Sequence, residues 1–279
     1  DIDEFAPRIS FFFNCHNDFF EEIAKFRAAR KLWYDIVSER YSPNNPKSAM
    51  LRFHTQVAGV SLTAQQPLNN VARVTIQALA AVCGGTQSLH TNSYDEALGL
   101  PTEKSATVAL RTQQVIAEES GAADVIDPLG GSWYVEELTD KIHLQAKAKI
   151  DEILEKGGAL MGIKSALQQK EIHEAAWEHM RAVEKGERLI VGVNHGVQGG
   201  TDSMAVQNLD LELEERQKDK LSELRQRRDE ITALKALEDI RSGAKGTANM
   251  FPLVISAVKA DCTLGEIMTA MKDVFGTYM

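Results

Sequence analysis

In its first half the sequence switches between short continuous apolar runs and longer stretches with helical periodicity. Arg8–Asn14, RISFFFN, is one such run and predicts a parallel strand buried on both faces. It leads into NCHNDFFEEIAKFRAARKLWYDIVSERY, where Phe19, Ile23, Phe26, Ala29 and Trp33 recur at the spacing of one helix face. Asn17 is the expected N-cap. Acidic Asp18, Glu21 and Glu22 precede basic Lys25, Arg27, Arg30 and Lys31, the order that suits the helix dipole. SPNNP then ends the helix. AMLRFHTQVAG repeats the strand signal. QQPLNNVARVTIQALAAVCGG repeats the helix signal, with Pro67 near its first turn and glycines at its end. TQSLHTN is the third strand, and LPTEKSATVALRTQQVIAEESG is its helix, stopped at Gly121.

Three consecutive strand–helix units predict parallel βα repeats, with the strand C-terminal ends on one shared face. Three units cannot close an eight-stranded barrel. Read as barrel material, they are its last part, and the other strands lie in another segment or another chain. The chain opens on Asp1 and reaches RISFFFN almost at once, which predicts further sequence in front of it. From about Tyr134 the pattern turns helical: 136–156, 169–185, and one long charged helix over Leu209–Arg241. That helix is expected to pack through Leu213, Leu221, Leu224, Ile231, Leu234 and Leu237. Two short helices follow, the last opened by a capping box of Thr263 with Glu266. RLIVGVN (Arg188–Asn194) is the one strand expected here, running into a flexible loop, GVNHGVQGGTDS. The chain is therefore read as a βα region over 1–133 and a helical region over 134–279.

Composition narrows the function classes. With 279 residues, 43% hydrophobic and 25% charged, the chain is that of a globular protein with a proper core. A net charge of −9 argues against nucleic acid as the main partner, because phosphate binding draws on Lys and Arg. No apolar run approaches the ~18 residues of a membrane span, and no signal peptide opens the chain, so the cytoplasm is the expected location. Cys15, Cys83 and Cys262 stand far apart without C-x-x-C spacing and are read as buried small hydrophobes in a reducing compartment.

The polar residues gather at the strand ends. GGTQSLHTNSYDEALGLP (Gly84–Pro101) runs from a strand into a turn carrying His90, Thr91, Asn92, Ser93, Tyr94, Asp95 and Glu96, as expected of a ligand-facing βα loop. His54 and His90 sit late in neighbouring strands and read as ligand contacts or hydrogen-bonded structural residues. No H-x-H pair suggests a metal. Arg8 and Ser10, two apart, would face the same way on a strand; a phosphate or carboxylate site and a surface salt bridge both remain open. Asp95 and Glu96 fit either acid–base chemistry or a helix-start turn. Gly59, Gly84, Gly85 and Gly99 permit close approach of something flat or large. No G-x-G-x-x-G follows a strand.

FAPRISFFFNCHNDFFEEIAKFRAARKLW, LRFHTQVAGVSLTAQQPLNN, GGTQSLHTNSYDEALGLP and VIDPLGGSWYVE resemble successive blocks of the methylmalonyl-CoA mutase family, the adenosylcobalamin-dependent acyl-CoA mutases. The likeness is dense from Asp3 to about Tyr134 and looser to CTLGEIMTAMKDVFG. It implies the last three βα units of a TIM (β/α)8 barrel that threads the CoA substrate, with adenosylcobalamin across the strand C-terminal face. The implied chemistry is homolysis of the cobalt–carbon bond, hydrogen abstraction and migration of the thioester-bearing group. Arg8 and Ser10 match a PR-[IL]-S motif that contacts CoA. Gly59, Glu96 and Gly99 resemble corrin contacts, and His54 and Gln56 line the same rim. The groups expected over the reacting carbons do not fall on this chain, so no catalytic residue is assigned to it.

The partners implied are an N-terminal half-barrel and a cobalamin-binding small subunit. A G-protein chaperone and a dimer of assembled units are also implied. Alternatives are an isobutyryl-CoA or 2-hydroxyisobutyryl-CoA mutase, a non-catalytic assembly module and, more remotely, a metal-dependent barrel hydrolase.

Overall fold

A computed structural model describes residues 1–198, 207 and 211–277. The chain divides into two compact units, Asp1–Gln207 and Asn208–Met279.

The first unit is built on three parallel strands in the order β1-β2-β3: β1 (Phe11–Cys15), β2 (Phe53–Val57) and β3 (Ser88–His90). A short helix α1 (Ile2–Phe5) and a 3-10 turn over Ala6–Arg8 precede β1. Arg8 is thus in a turn and not in the strand expected from Arg8: Pro7 fixes its own φ and has no N–H to give to a ladder. Helix α2 (Phe19–Tyr41) follows β1 and is capped by Asp18, whose carboxylate accepts from Glu21 N. The expected cap, Asn17, is used otherwise, its Oδ1 accepting from Gln77 Nε2 at 2.6 Å.

Helices α3 (Asn69–Cys83) and α4 (Glu103–Glu119) complete the three βα units, and α5 (Trp133–Glu155) starts the helical tail. The core lies on one face of the sheet. Cys15 and Phe53 pack with Ile23 and Phe26 of α2, Ala80 and Ala81 of α3, and Val135 of α5; Phe19, Ala29 and Trp33 border them as the helical spacing predicts. Val57 meets Val74, Ala78 and Ile116 in a second cluster. Phe26 and Phe53 stack at 5.0 Å between centroids. Arg27 of α2 bonds Glu136 of α5 at 2.7 Å and Asp127 at 3.0 Å, fixing the DPLGG turn against both helices.

The other face of the sheet is open. Burial alternates along β1, and Phe12 is 61% exposed, so the strand expected to be buried on both faces is buried on one. Three consecutive phenylalanines hide the period-two alternation that a mixed sequence would display. β1 and β3 each pair with β2 alone, and among the described residues the sheet does not close.

Beyond α5 come α6 (Gly158–Lys164) and α7 (Leu167–Glu184). Arg188–Asn194 is not a strand. It forms turns closed by Asn194, whose side chain bonds Ile190 N, Val183 O and Arg188 O, with one isolated bridge from Val191 to His195. Gly192, at φ +86, takes the left-handed turn conformation that breaks the run. The rest of the expected loop, past residue 198, lies outside the described residues.

The second unit holds α8 (Leu211–Arg227), α9 (Glu230–Ala244), α10 (Met250–Lys259) and α11 (Leu264–Phe275). The long helix expected over Leu209–Arg241 is two helices, because Asp229 caps a new start at Ile231 N. Small residues build its core: Ala233, Ala236, Ala257 and Ala270 with Leu237, Ile240, Cys262 and Ile267. Leu213, Ile231 and Leu234, expected in the packing face, are exposed. The capping box of Thr263 and Glu266 is present as predicted. Among the described residues no helix is long and apolar enough to cross a membrane.

Candidate functional site

Strand parity and register put six side chains on the open face. Phe12, His54 and Ser88 align in one row, and Asn14, Gln56 and His90 in the next. Five of the six are polar, whereas the covered face of the same strands carries Phe13, Cys15, Phe53, Val57 and Leu89. A sheet face this polar, presented by otherwise apolar strands, is suited to a ligand or a hydrated cavity and not to a core. His54 Nδ1 lies 2.7 Å from Ser88 Oγ, and its ring sits 5.1 Å from that of Phe12.

The β2 and β3 ends build a second cluster. Gln56 Nε2 donates to Asn92 Oδ1 at 3.0 Å, and Asn92 Nδ2 donates to Val57 O at 2.9 Å. A side chain at Gly59 would meet Asn92 Nδ2 at 2.9 Å and Glu96 Oε1 at 3.4 Å. Gly59, Asn92 and Glu96 therefore share one spot at the strand C-terminal ends, and the missing side chain at Gly59 is what lets Asn92 and Glu96 come so close. Glu96 and Gly99 are exposed, as are Val60, Ala97 and Leu100 beside them. The Gly59 shelf thus carries one carboxylate, with exposed glycine and alkyl residues as its chain neighbours.

Asp95 is the buried member of the Asp-Glu pair. Its Oδ2 accepts from Thr102 N at 3.1 Å, tying the loop to the start of α4. Its carbonyl accepts from Leu98 N and Gly99 N. Burial works to raise its pKa, but the neighbouring Ser105 and Ser93 hydroxyls and the bond from the Thr102 N–H outweigh it and hold the carboxyl below its usual range. A carboxylate so held is ionised at neutral pH and braces the loop.

The expected site residues thus fall into three groups. Arg8 and Ser10 precede β1, both exposed. His54 and Gln56 stand on the open face. Gly59, Glu96 and Gly99 lie past the other end of the strands, whose five residues span about 16 Å. Among the described residues Arg8 has no salt-bridge or hydrogen-bond partner, so the structural ion pair left open from its spacing is not formed. Asn14 and Ser88 join the site through the two-residue alternation along FFFNC and TQSLHTN, and Asn92 joins it from the polar loop expected to face a ligand.

All three cysteines are buried and unpaired. Burial pushes each thiol up, so none is poised as a nucleophile. Among the described residues no three His, Cys, Asp or Glu side chains gather as metal ligands.

A three-stranded parallel α/β scaffold, with a polar open face and a glycine shelf at its strand ends, is an α/β unit consistent with part of a barrel. The methylmalonyl-CoA mutase family matches residues 1–277, and the chain belongs to that family. It is 48% identical over 278 residues to the probable mitochondrial methylmalonyl-CoA mutase of Caenorhabditis elegans, covering 99% of this chain and 37% of that protein. It is 45% identical over 279 residues to the 2-hydroxyisobutanoyl-CoA mutase large subunit of Aquincola tertiaricarbonis, covering 99% of this chain and 50% of the relative. The methylmalonyl-CoA mutase of Escherichia coli K12 is 44% identical over 281 residues, all of this chain and 39% of the relative. The chain spans between about a third and a half of the length of these relatives. Enzymes of the family are isomerases of the intramolecular-transferase type that use adenosylcobalamin.

Proposed function

We propose that this chain is one part of an adenosylcobalamin-dependent acyl-CoA mutase that interconverts (R)-methylmalonyl-CoA and succinyl-CoA. The observation that carries the proposal is the cluster of Gly59, Asn92 and Glu96 at the C-terminal ends of a sheet whose open face is polar. The cofactor fits that cluster. The side-chain-free position at Gly59 lets Asn92 and Glu96 close against the backbone, exposed Val60 and Leu100 offer alkyl contact to a flat ring, and exposed Glu96 can bond polar groups at its fringe. When bound, adenosylcobalamin supplies the radical chemistry. The residues of this chain bind, orient and shield. Gly59, Glu96 and Gly99 form the floor, with His54 and Gln56 below them. Arg8 and Ser10, at the far end of the strands, hold the CoA portion; an exposed, unpaired guanidinium suits phosphate.

The unpaired outer edges of β1 and β3 support completion of the barrel by further strands. Beside β3 a groove of about 340 Å³, lined by Val82, Leu89, Leu110 and Ile116, offers apolar surface for that neighbour. An N-terminal half-barrel and a cobalamin-binding domain or subunit belong to this proposal, as do residues 1–133 as its barrel part, a G-protein chaperone, a dimer of assembled units and a cytoplasmic location. A 2-hydroxyisobutanoyl-CoA substrate is the second reading, favoured by 45% identity to a large subunit of which this chain covers half.

The test is reconstitution. Without the other parts the chain should show no mutase activity. With both parts and adenosylcobalamin it should turn over one of the two acyl-CoA substrates. Activity from the unassisted chain would overturn the partner requirement. An assembled complex that binds neither adenosylcobalamin nor acyl-CoA would overturn the function.

A further inference from the structure

The loop after β2 carries Gly59 and the loop after β3 carries Glu96, and one buried carboxamide joins them. Asn70, fully buried in the first turn of α3, uses all its hydrogen-bonding capacity. Its Oδ1 accepts from Arg73 Nη1 at 2.7 Å and from Thr63 N at 3.1 Å. Its Nδ2 donates to Thr63 O at 2.8 Å and to Tyr94 O at 2.9 Å. Two donors face two carbonyls and two acceptor sites face two N–H groups, so the opposite amide orientation is ruled out by its partners. Arg73 extends the junction: Nη1 also reaches Thr63 Oγ1 at 3.0 Å, and Nη2 reaches Val191 O at 2.7 Å.

We infer that Asn70 is a positioning residue for the cofactor shelf, setting Glu96 against Gly59 by holding Thr63 and Tyr94 on one side chain. The inference rests on the reading of that shelf as the adenosylcobalamin floor. Tyr94 is two residues before Glu96, and Thr63 is four after Gly59, so a change in the junction moves both rims. Asparagine alone fits. Aspartate keeps the shape and the two acceptor bonds but replaces the NH2 by one oxygen that faces both carbonyls, and an apolar residue leaves Thr63 N, Thr63 O and Tyr94 O without this partner.

The experiment titrates adenosylcobalamin into the assembled apoenzyme by absorbance and measures the acyl-CoA KM separately. Asn70→Asp is expected to weaken cofactor binding about tenfold or more, as for loss of a buried hydrogen bond, with the acyl-CoA KM within about twofold because Arg8 and Ser10 lie at the other end of the strands. Arg73→Gln, which gives up the bonds to Val191 O and Thr63 Oγ1 and one of the two bonds to Asn70 Oδ1 but spares the Asn70–Tyr94 bond, should weaken cofactor binding less than Asn70→Asp. Amide exchange at Leu98 and Gly99 should quicken in Asn70→Asp and not in Arg73→Gln. In a double-mutant cycle, Asn70→Asp with Glu96→Gln should bind the cofactor hardly more weakly than the worse single variant, since both act through one contact.

Equal loss of cofactor and acyl-CoA binding in Asn70→Asp, or additive losses in the cycle, would make Asn70 a general structural residue and overturn the inference. If Asn70→Asp does not assemble, Asn70→Ser removes the Tyr94 bond without adding charge and goes through the same titration. Gly59→Val separates the two levels. Unchanged cofactor affinity in that variant overturns the shelf reading and the inference with it. Lost affinity there, with wild-type affinity in the Asn70 variants, overturns the inference alone.

Discussion

The two faces of the three-stranded sheet are made by alternate residues of the same short segments, yet they obey different rules. The covered face is aromatic and aliphatic, closed over by α2, α3 and α5, with Phe26 and Phe53 at most 2% exposed. The open face is Asn14, His54, Gln56, Ser88 and His90 with a largely exposed Phe12, and its side chains touch mainly each other and the loop residue Asn92. One face carries the stability of the unit and the other carries its capacity to bind. The comparison is falsifiable, because substitutions one residue apart on a single strand should have unlike consequences.

The largest effect is expected at the centre of the covered face. Phe53→Ala should cost about 3–5 kcal/mol, the range for truncating a buried aromatic ring, because Phe26 stacks on it and Phe13 meets it edge-on. Urea unfolding followed by circular dichroism measures this. A loss below about 1 kcal/mol would mean that the cluster is not the core of the unit.

Overpacking probes the same face from the loop that leads to β3. A methyl group on Gly84 would lie 2.5 Å from Phe26 Cδ2 and 3.0 Å from Ala80 O. The ring cannot withdraw without breaking its stack, so Gly84→Ala should cost about 1–3 kcal/mol. Gly59→Ala meets one amide at the edge of the open side, and should cost less stability than Gly84→Ala while lowering cofactor affinity. A reversed order in stability would break the contrast.

These glycines show what the sequence could and could not disclose. The βα alternation, the helix face of Phe19, Ile23 and Phe26, and the Thr263–Glu266 box are local patterns, and the structure bears them out. The both-face burial of FFFNC failed because Phe12 is apolar on an open face. RLIVGVN failed because a side-chain cap from Asn194 and a left-handed Gly192 outweigh an apolar run. The break at Asp229 was missed because charge continues smoothly through it. At the site, Gly59 and Glu96 are 37 residues apart, and no spacing rule makes them neighbours; family resemblance named them, and the register of β2 on β3 brings them together. Asn70 was invisible for a similar reason, since a fully bonded asparagine in a first helical turn looks like any other.

The second unit offers a charge-based control with no ligand in the argument. Glu266 is held down to about 2 by its bonds to Arg228, with the Thr263 cap assisting against burial. Its folded pKa lies below the ordinary 4.5, so its contribution is present above that value and is lost as pH falls toward about 2. The last helix should therefore loosen across that window in acid. Glu266→Gln should lack this acid-dependent step. Hydrogen exchange of α11 against pH measures both, and an unchanged profile in Glu266→Gln would show that the Arg228 contact does not stabilise the fold.

The smallest stability effects, and the sharpest use of the comparison, belong to the open face. His54→Ala and Gln56→Ala flank Thr55, which is fully buried on the covered side. Each should change unfolding free energy by no more than about 0.5 kcal/mol, because neither fills a packed site and water can replace the Ser88 and Asn92 contacts. Thr55→Ala, between them, breaks a buried bond to Thr86 Oγ1 at 2.8 Å and should cost about 1 kcal/mol or more. In the assembled enzyme the ranking should invert: His54 and Gln56 variants lose ligand affinity, while Thr55→Ala retains it wherever the fold is kept. The alternation along five residues of β2 would then separate binding from stability residue by residue. If His54→Ala destabilised the unit as much as Thr55→Ala, the open face would be a buried surface of the barrel wall and the polar row would have a structural purpose.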